Sequence, residues 1–400
     1  MSSAAGSHVQ TTAASPVSMA EIEGRGRALF ASRPLRAGEV ILRESSILVY
    51  SALPLKPPNQ RQSYCSNCFR ILEPSPSVVS CSSCSDAGLT LFCSTHCRSA
   101  ASISSHCTWV CQALSQLRAC LSSLPMEHQV QARFLVAAYN LAAVSPSHFR
   151  TLMCLQGEPP VQPEEATIFL HSLVTSLCPP PPPAEFKFSL ELTSALLAKD
   201  KLNAFGLMEP VSQDVERSVR AYAIYPNASF FNHDCLPNAC RFDYVDTGNT
   251  DIIVRMIHDV PEGREICLSY FPVNLNYSER QRRLREDYGF ICTCDRCRVE
   301  ASWSDDEQED EDGDNGEDEA MDEDHDMVME DSETDDGGVK EDNNFPHAYF
   351  FLRYMCSREN CWGTLAPLPP SNGTLSSLME CNVCGNIKND EAMGGDASKE

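Results

Sequence analysis

The stretch FFNHDCLPNAC, Phe230–Cys240, sets two aromatic rings directly before Asn232, His233, Asp234, Cys235, Leu236, Pro237 and Asn238. Three readings compete for it. Asn, Asp and Pro favour a turn. His233 and Cys235 are metal-ligand types. A bent backbone carrying Asn and His also suits a loop built around a ligand. The rest of the chain has to decide.

Four hundred residues allow two or three domains, or one large domain with insertions. The net charge of −25 is unevenly spread. Residues 301–342 hold 22 Asp or Glu and one Lys, a net −21, which leaves −4 on everything else. The acidity belongs to one segment and says little about the fold. No strongly basic face is evident, so direct nucleic-acid binding is not expected. Twenty-one cysteines is a high count. The first 20 residues lack the apolar core of a signal peptide, and no run of about 18 apolar residues suggests a membrane helix. A reducing compartment is expected, where clustered cysteines point to zinc.

Along the chain, residues 1–19 are Ser/Ala/Thr-rich and read as disordered. Glu23–Tyr50 reads as a Gly-rich turn followed by short strands, with Gly38 at a second bend. Residues 112–145 read as helical, as do EEATIFLHSLVTSL and FKFSLELTSALLAKDKL, with Pro179–Pro183 as a stiff connector between them. From Asn203 to Tyr270 the texture is short β runs and turns, followed by the basic helix SERQRRLREDYGF. The acidic run cannot bury enough apolar surface to fold. There are no internal repeats.

Cys65-x2-Cys68, Cys81-x2-Cys84, Cys93-x3-Cys97, His106 and Cys111 give eight ligand types within 47 residues. Tetrahedral zinc takes four thiolate or imidazole ligands, and a CxxC knuckle supplies two from one turn, so eight ligands make two closed, structural sites. This block resembles a MYND finger. The resemblance implies interleaved ligation: Cys65, Cys68, Cys93 and Cys97 on one zinc, and Cys81, Cys84, His106 and Cys111 on the other. His106 and Cys111 are separated by four residues where the family usually has three, and Cys107 is the alternative eighth ligand.

The finger interrupts something larger. GRGRALFA (Gly24–Ala31) precedes it; NHDCLPN (Asn232–Asn238), GREICLSYF (Gly263–Phe271) and CTCDRC, with Cys292, Cys294 and Cys297, follow. Their order and content resemble the SET domain of protein lysine methyltransferases. The whole chain is similar to SET-and-MYND proteins, nearest the plant absent-small-homeotic-related members, over roughly residues 20–298. S-adenosylmethionine is then the expected donor. Gly24 and Gly26 permit close backbone approach to it. The resemblance implies that Asn232 and His233 contact the donor, with Asn203, Phe290 and Arg25 as further candidates. A solvated arginine is the competing reading of Arg25. Tyr270 is the expected catalytic residue, and it also lines the donor site; Tyr288 is a second tyrosine of the lysine channel. Cys235 would complete a third zinc site with Cys292, Cys294 and Cys297. The opening stretch is thus read as a donor loop that also carries a structural ligand. GRGRALFA is two residues longer than the common GRGLFA, which leaves the start of its strand open.

Cys356-x4-Cys361 and Cys381-x2-Cys384 make a fourth zinc site of ribbon type, or two free pairs in a small folded tail. The expected fold is α+β: a SET β-fold split by a zinc finger and a helical insert, with a Cys-rich post-SET and a zinc-ribbon-like tail. The expected divisions are 1–19 disordered, 20–64 first SET part, 65–111 MYND finger, 112–202 helical insert, 203–271 second SET part, 272–300 post-SET, 301–343 acidic linker and 344–390 C-terminal region. The expected function is donor-dependent protein lysine N-methylation, with histones as a candidate substrate. The rival is an inactive, zinc-stabilised adaptor that uses the finger to hold peptide partners. The completeness of the site favours the enzyme. The acidic run reads as a solvated linker, or as a docking strip for basic proteins. RQRRLR, Arg280–Arg285, is the densest basic patch and reads as part of a folded helix, so nucleus and cytoplasm both stay open. No membrane association is expected.

Overall fold

The computed structural model describes residues 15–55, 63–84, 90–121, 123–177, 187–210, 218–301, 353–359, 361–371 and 373–389. The proline connector, nearly all of the acidic run and residues 1–14 lie outside them. Two compact units are distinguished: residues 1–273 together with 354–400, and residues 274–353.

The first unit begins with an antiparallel hairpin, β1 (Val17–Ile22) and β2 (Gly26–Ala31), in register from Val17↔Ala31 to Ile22↔Gly26. Residues 17–19, expected to be disordered, are therefore strand. Composition hid this, because β1 is mostly exposed and is held through its backbone pairing with the more apolar β2. Gly24 and Gly26 carry φ of +75° and +74° at the turn. A Cβ at either would meet nothing within 4 Å, so backbone conformation, not crowding, requires glycine there. The strand starts at Gly26, which resolves the longer glycine stretch.

β3 (Val40–Glu44) and β4 (Leu48–Ser51) follow, then the finger hairpin β5 (Val79–Ser80) and β6 (Leu91–Phe92). Six helices come next: α1 (Thr95–Ser102), α2 (Thr108–Leu121), α3 (Met126–Val144), α4 (Pro146–Met153), α5 (Glu165–Leu177) and α6 (Leu190–Asn203). The helical region expected over 112–145 divides into α2 and α3, and α1 and α4 lie outside it. Pro146 sits in the first turn of α4, where its missing N–H costs nothing and proline starts a helix rather than only ending one. Strands resume with β7 (Ala204–Met208), β8 (Val219–Ile224), β9 (Asn232–His233), β10 (Ala239–Asp243), β11 (Ile252–Met256) and β12 (Cys267–Leu268), and the ribbon strands are β13 (Leu365–Pro367), β14 (Leu378–Cys381) and β15 (Ile387–Asn389).

The sheets have the orders β4-β8-β7, β10-β11-β3 and β13-β14-β15, all antiparallel, and β9 pairs in parallel with β12. One core is helical, around Phe134, Leu135, Tyr139, Leu170 and Leu196, with Leu48, Tyr50 and Ile224 from the strands. A second lies among the strands, around Leu29, Ile41, Tyr225, Phe231, Val254 and Leu268. Phe69 from the finger is buried in this second core with φ +54°, and its carbonyl accepts from Arg220 Nε at 3.2 Å. That burial offsets an unfavourable backbone region for a bulky residue, and it fastens the finger to the strands.

In the second unit, α7 (Tyr277–Tyr288) starts at Asn276 with a reciprocal capping box to Glu279 and ends at Gly289 in the left-handed region. α8 (Asp295–Glu300) follows. Arg280 is fully buried and pairs with Glu300 at 2.6 Å, and Arg296 reaches the same carboxylate at 2.6 Å. This part of RQRRLR is structural, as the helix reading expected. Among the described residues, no helix is long and apolar enough to cross a membrane.

Candidate active site and metal centres

The opening stretch folds around the β9–β12 pair. Cys267 stands opposite Asn232, and Leu268 opposite His233. Asp234 N–H donates to Leu268 O at 3.0 Å, and Asp234 Oδ1 accepts from Leu236 N at 2.7 Å, which makes the expected Asx turn. Asn238, 8% exposed, ties the two segments with both ends of its amide: Nδ2 donates to Glu265 O at 2.8 Å, and Oδ1 accepts from Cys267 N at 2.9 Å.

His233 is buried, and its Nδ1 accepts from the Tyr270 amide at 3.1 Å. A backbone N–H can only donate, so a neutral ring carries its proton on Nε2, which lies 3.3 Å from Cys235 Sγ. The His233 ring packs 5.2 Å from the Tyr270 ring and 4.8 Å from that of Phe271. Tyr270 Oη donates to Phe231 O at 3.0 Å. The polar loop and the candidate catalytic tyrosine are thus held as one piece.

The glycine turn joins this piece through Glu265, a residue the sequence reading did not single out. Its Oε1 accepts from Asn232 Nδ2 at 2.9 Å, and its Oε2 pairs with Arg25 Nη1 at 2.8 Å. Partial burial pulls the pKa of the Arg25 guanidinium down, its neighbours Glu265 and Cys267 pull it up, and the net shift is upward. Arg25 is therefore an ion-paired side chain and not simply a solvated one. Cys267 nearby is pushed well up, by burial first and then by Glu265 and Asp234, so it stays a neutral thiol. The signal for Glu265 lay in GREICLSYF: a lone carboxylate in a strand-like run, of opposite sign to the arginine in GRG. Sequence distance hid the match.

Asn203 is the last residue of α6 and is buried. Its Nδ2 donates to Gln156 O at 2.7 Å and Lys199 O at 2.8 Å, which fixes the helix end against residues 154–158. Arg27 also reaches that segment, donating to Cys154 O at 3.0 Å while lying 4.6 Å over the Phe230 ring. Tyr288 and Phe290 belong to the second unit. Tyr288 is the last residue of α7, and Phe290 N donates to Leu284 O at 3.1 Å just beyond it, with its ring partly exposed.

The cysteines of the finger gather as two interleaved sets, Cys65/Cys68/Cys93/Cys97 and Cys81/Cys84/His106/Cys111, each with its ligand atoms within 4.8 Å of one another. Four thiolates on a tetrahedral zinc with 2.3 Å bonds lie about 3.8 Å apart. Cys68–Cys93 at 3.8 Å, Cys93–Cys97 at 3.5 Å and Cys81–Cys111 at 3.9 Å fit that spacing; Cys84–Cys111 at 3.0 Å is tighter, and Cys84 lies 3.3 Å from His106 Nε2. Cys107 turns the other way, to Asn140 Oδ1 at 3.1 Å. The four-residue gap has a local cause: Cys111 lies one turn inside α2, which starts at Thr108. In the second unit, Cys292, Cys294 and Cys297 gather their Sγ atoms within 4.8 Å, and Gln281 holds Cys292 by both backbone groups, at 2.7 and 3.1 Å. Cys235 is buried in the first unit. None of the described cysteines is disulfide-bonded.

A family model for the SET domain matches residues 26–271. Histone-lysine N-methyltransferase ASHR2 of Arabidopsis thaliana is 55% identical over 399 residues, spanning 93% of this chain and 95% of that protein. Human histone-lysine N-methyltransferase SMYD1 is 32% identical over 131 residues, 29% of this chain and 25% of that one. A solved structure of Rubisco LSMT bound to AdoMet aligns more distantly, over 71% of this chain and 54% of that one, at 15% identity and a TM-score of 0.35. The SET match runs from Gly26, the first residue of β2 and the last of the glycine turn, to Phe271, and takes in the polar loop and Tyr270. With a full-length relative at that identity, the chain belongs to the SET-and-MYND group of SET-domain protein lysine methyltransferases.

Proposed function

We propose that the substrate is a histone lysine and that Tyr270 and Tyr288 line the channel through which its amine reaches the donor. The observation that carries this reading is the His233 Nδ1 bond to the Tyr270 amide, which couples the donor loop to the tyrosine. When bound, S-adenosylmethionine supplies an electrophilic methyl group. In-line displacement asks the protein mainly for alignment of a neutral amine. Tyr270 Oη gives its proton to Phe231 O, so toward other groups its oxygen acts as an acceptor. An acceptor there suits an amine N–H and polarised methyl C–H groups. Lysine ordinarily titrates near 10.4, so an apolar channel that disfavours the ammonium form serves the same end.

Gly24, Arg25, Gly26, Asn203, Asn232, His233 and Phe290 are assigned to the donor, with Tyr270 beside its methyl group. The two finger sets are assigned one zinc each. Cys235 with Cys292, Cys294 and Cys297 is assigned a third, supported by the His233 Nε2 contact to Cys235 and by the gathering of the other three thiols. The finger is assigned peptide partners. A histone substrate puts the work in the nucleus; a non-histone one leaves the cytoplasm open.

Tyr270→Phe tests the assignment. We expect turnover on recombinant histones with labelled donor to fall at least ~100-fold, the usual scale for a lost acid–base or electrostatic contact, while calorimetric donor affinity stays within about threefold. Unchanged turnover would overturn the role of Tyr270. No labelling of any histone by the active parent would overturn the substrate class.

A further inference from the structure

The C-terminal cysteines are used by nothing in the reaction, yet they are not scattered. Cys356, Cys361, Cys381 and Cys384 bring their four Sγ atoms within 4.8 Å of one another, and the first three are buried. Cys356–Cys384 is 3.7 Å and Cys361–Cys381 is 3.5 Å. Both are far too long for a disulfide, which needs about 2.05 Å, and close to the roughly 3.8 Å edge of a tetrahedral Zn(Cys)4. The Val383 N–H points back at Cys381 Sγ, at 3.4 Å. The three-stranded ribbon β13-β14-β15 carries Cys381 on its central strand, and Cys361 and Cys384 lie beside its ends.

The ribbon is also docked on the SET strands. Arg255 of β11 pairs with Glu380 at 2.8 Å, both side chains largely buried, and the guanidinium lies 3.8 Å over the Phe242 ring. Tyr244 Oη donates to the same carboxylate at 3.0 Å, and Asn382 Nδ2 donates to Arg241 O at 3.1 Å. Ala366 shares an apolar cluster with Cys240, Phe242 and Ile257. A Cβ on Gly38 would collide with Leu368 O, so the bend between β2 and β3 is fitted to the ribbon backbone. Every one of these contacts depends on a short segment with few apolar residues of its own, the situation in which small folds need a metal.

We propose that Cys356, Cys361, Cys381 and Cys384 form a fourth structural zinc site, which folds the C-terminal ribbon and so clamps it to the β10-β11 face of the SET sheet. Metal content of the purified full-length protein tests it. Cys361→Ser/Cys381→Ser should hold one zinc fewer per chain than the parent by plasma mass spectrometry, whatever the parent's total. An unchanged zinc content would overturn the proposal, as would four fewer alkylatable thiols in the denatured, unreduced parent, since that means disulfides. Cys381→His covers the case in which the double variant does not fold: it should keep the parent's zinc count, and after cobalt substitution its visible absorption should move toward the blue relative to the parent. A cobalt spectrum identical to the parent's would also overturn the site.

Discussion

The finger and the proposed donor site are both made of polar side chains on short, irregular backbone, but they are held in different ways. The finger's eight ligands lie within 47 residues, and each set needs only turns and the starts of α1 and α2 to converge. The donor site joins the turn at Gly24–Gly26 to Glu265, 240 residues away from Arg25, and to Asn232. The Phe30↔Glu265 bridge brings β2 to Glu265, and the β9–β12 pairing brings Asn232 there. Each ligand set of the finger would take most of its order from one metal, whereas the proposed donor site spreads its order over many moderate hydrogen bonds. Losses in the finger should therefore be all-or-none, and losses in the donor site graded.

The largest effect should come from the finger. Cys68→Ser/Cys93→Ser removes two ligands of one set. Structural zinc contributes on the order of 10 kcal/mol to the folding of such a segment, so that set should lose its metal entirely. We expect zinc content to drop by at least one per chain and residues 65–111 to become a protease target. Donor affinity should change little. A donor affinity that collapsed with the metal would break the contrast, and would show that Phe69 transmits the finger's order into the strand core.

The same contrast explains what could be read from the chain. Ligand spacing is local information, so the finger sets were legible residue by residue. The one departure, four residues between His106 and Cys111, needed the start of α2 to resolve it. The order of the motifs pointed to the split β-fold, and Asn232, His233 and Tyr270 do come together. Glu265 and Asn238 are not legible in the sequence, because their partners are backbone groups, an arginine 240 residues away, or an asparagine on another strand. β1 was missed since its order comes from pairing, not from its own composition.

Asn238 should give the next largest effect. Asn238→Ala leaves Cys267 N–H and Glu265 C=O without their partner in a buried place. Each orphaned group costs about 1–3 kcal/mol. We expect stability in urea to fall by about 2–6 kcal/mol. A loss below 1 kcal/mol would mean that water replaces the amide and that β12 is not held by it.

Glu265 and Arg25 sharpen the graded end. Glu265→Ala frees Asn232 Nδ2 and Arg25 together. Loss of one charge-assisted hydrogen bond at a positioning residue is worth about 1.5 kcal/mol, so calorimetric donor affinity should weaken about tenfold with folding intact. Arg25→Ala should do less. Arg25 is 48% exposed in its pair with Glu265, and pairs of that exposure contribute about 0–1 kcal/mol, a factor of at most about five. Glu265→Gln keeps an acceptor for Asn232 and loses only the charge facing Arg25, so it should match Arg25→Ala and not Glu265→Ala. Salt separates the two contributions further: raising it should erase the Arg25 effect through screening and leave the Asn232 effect in place. Equal losses in Arg25→Ala and Glu265→Ala would instead put the guanidinium itself on the donor, and the glycine turn would then bind through a side chain as well as through its backbone.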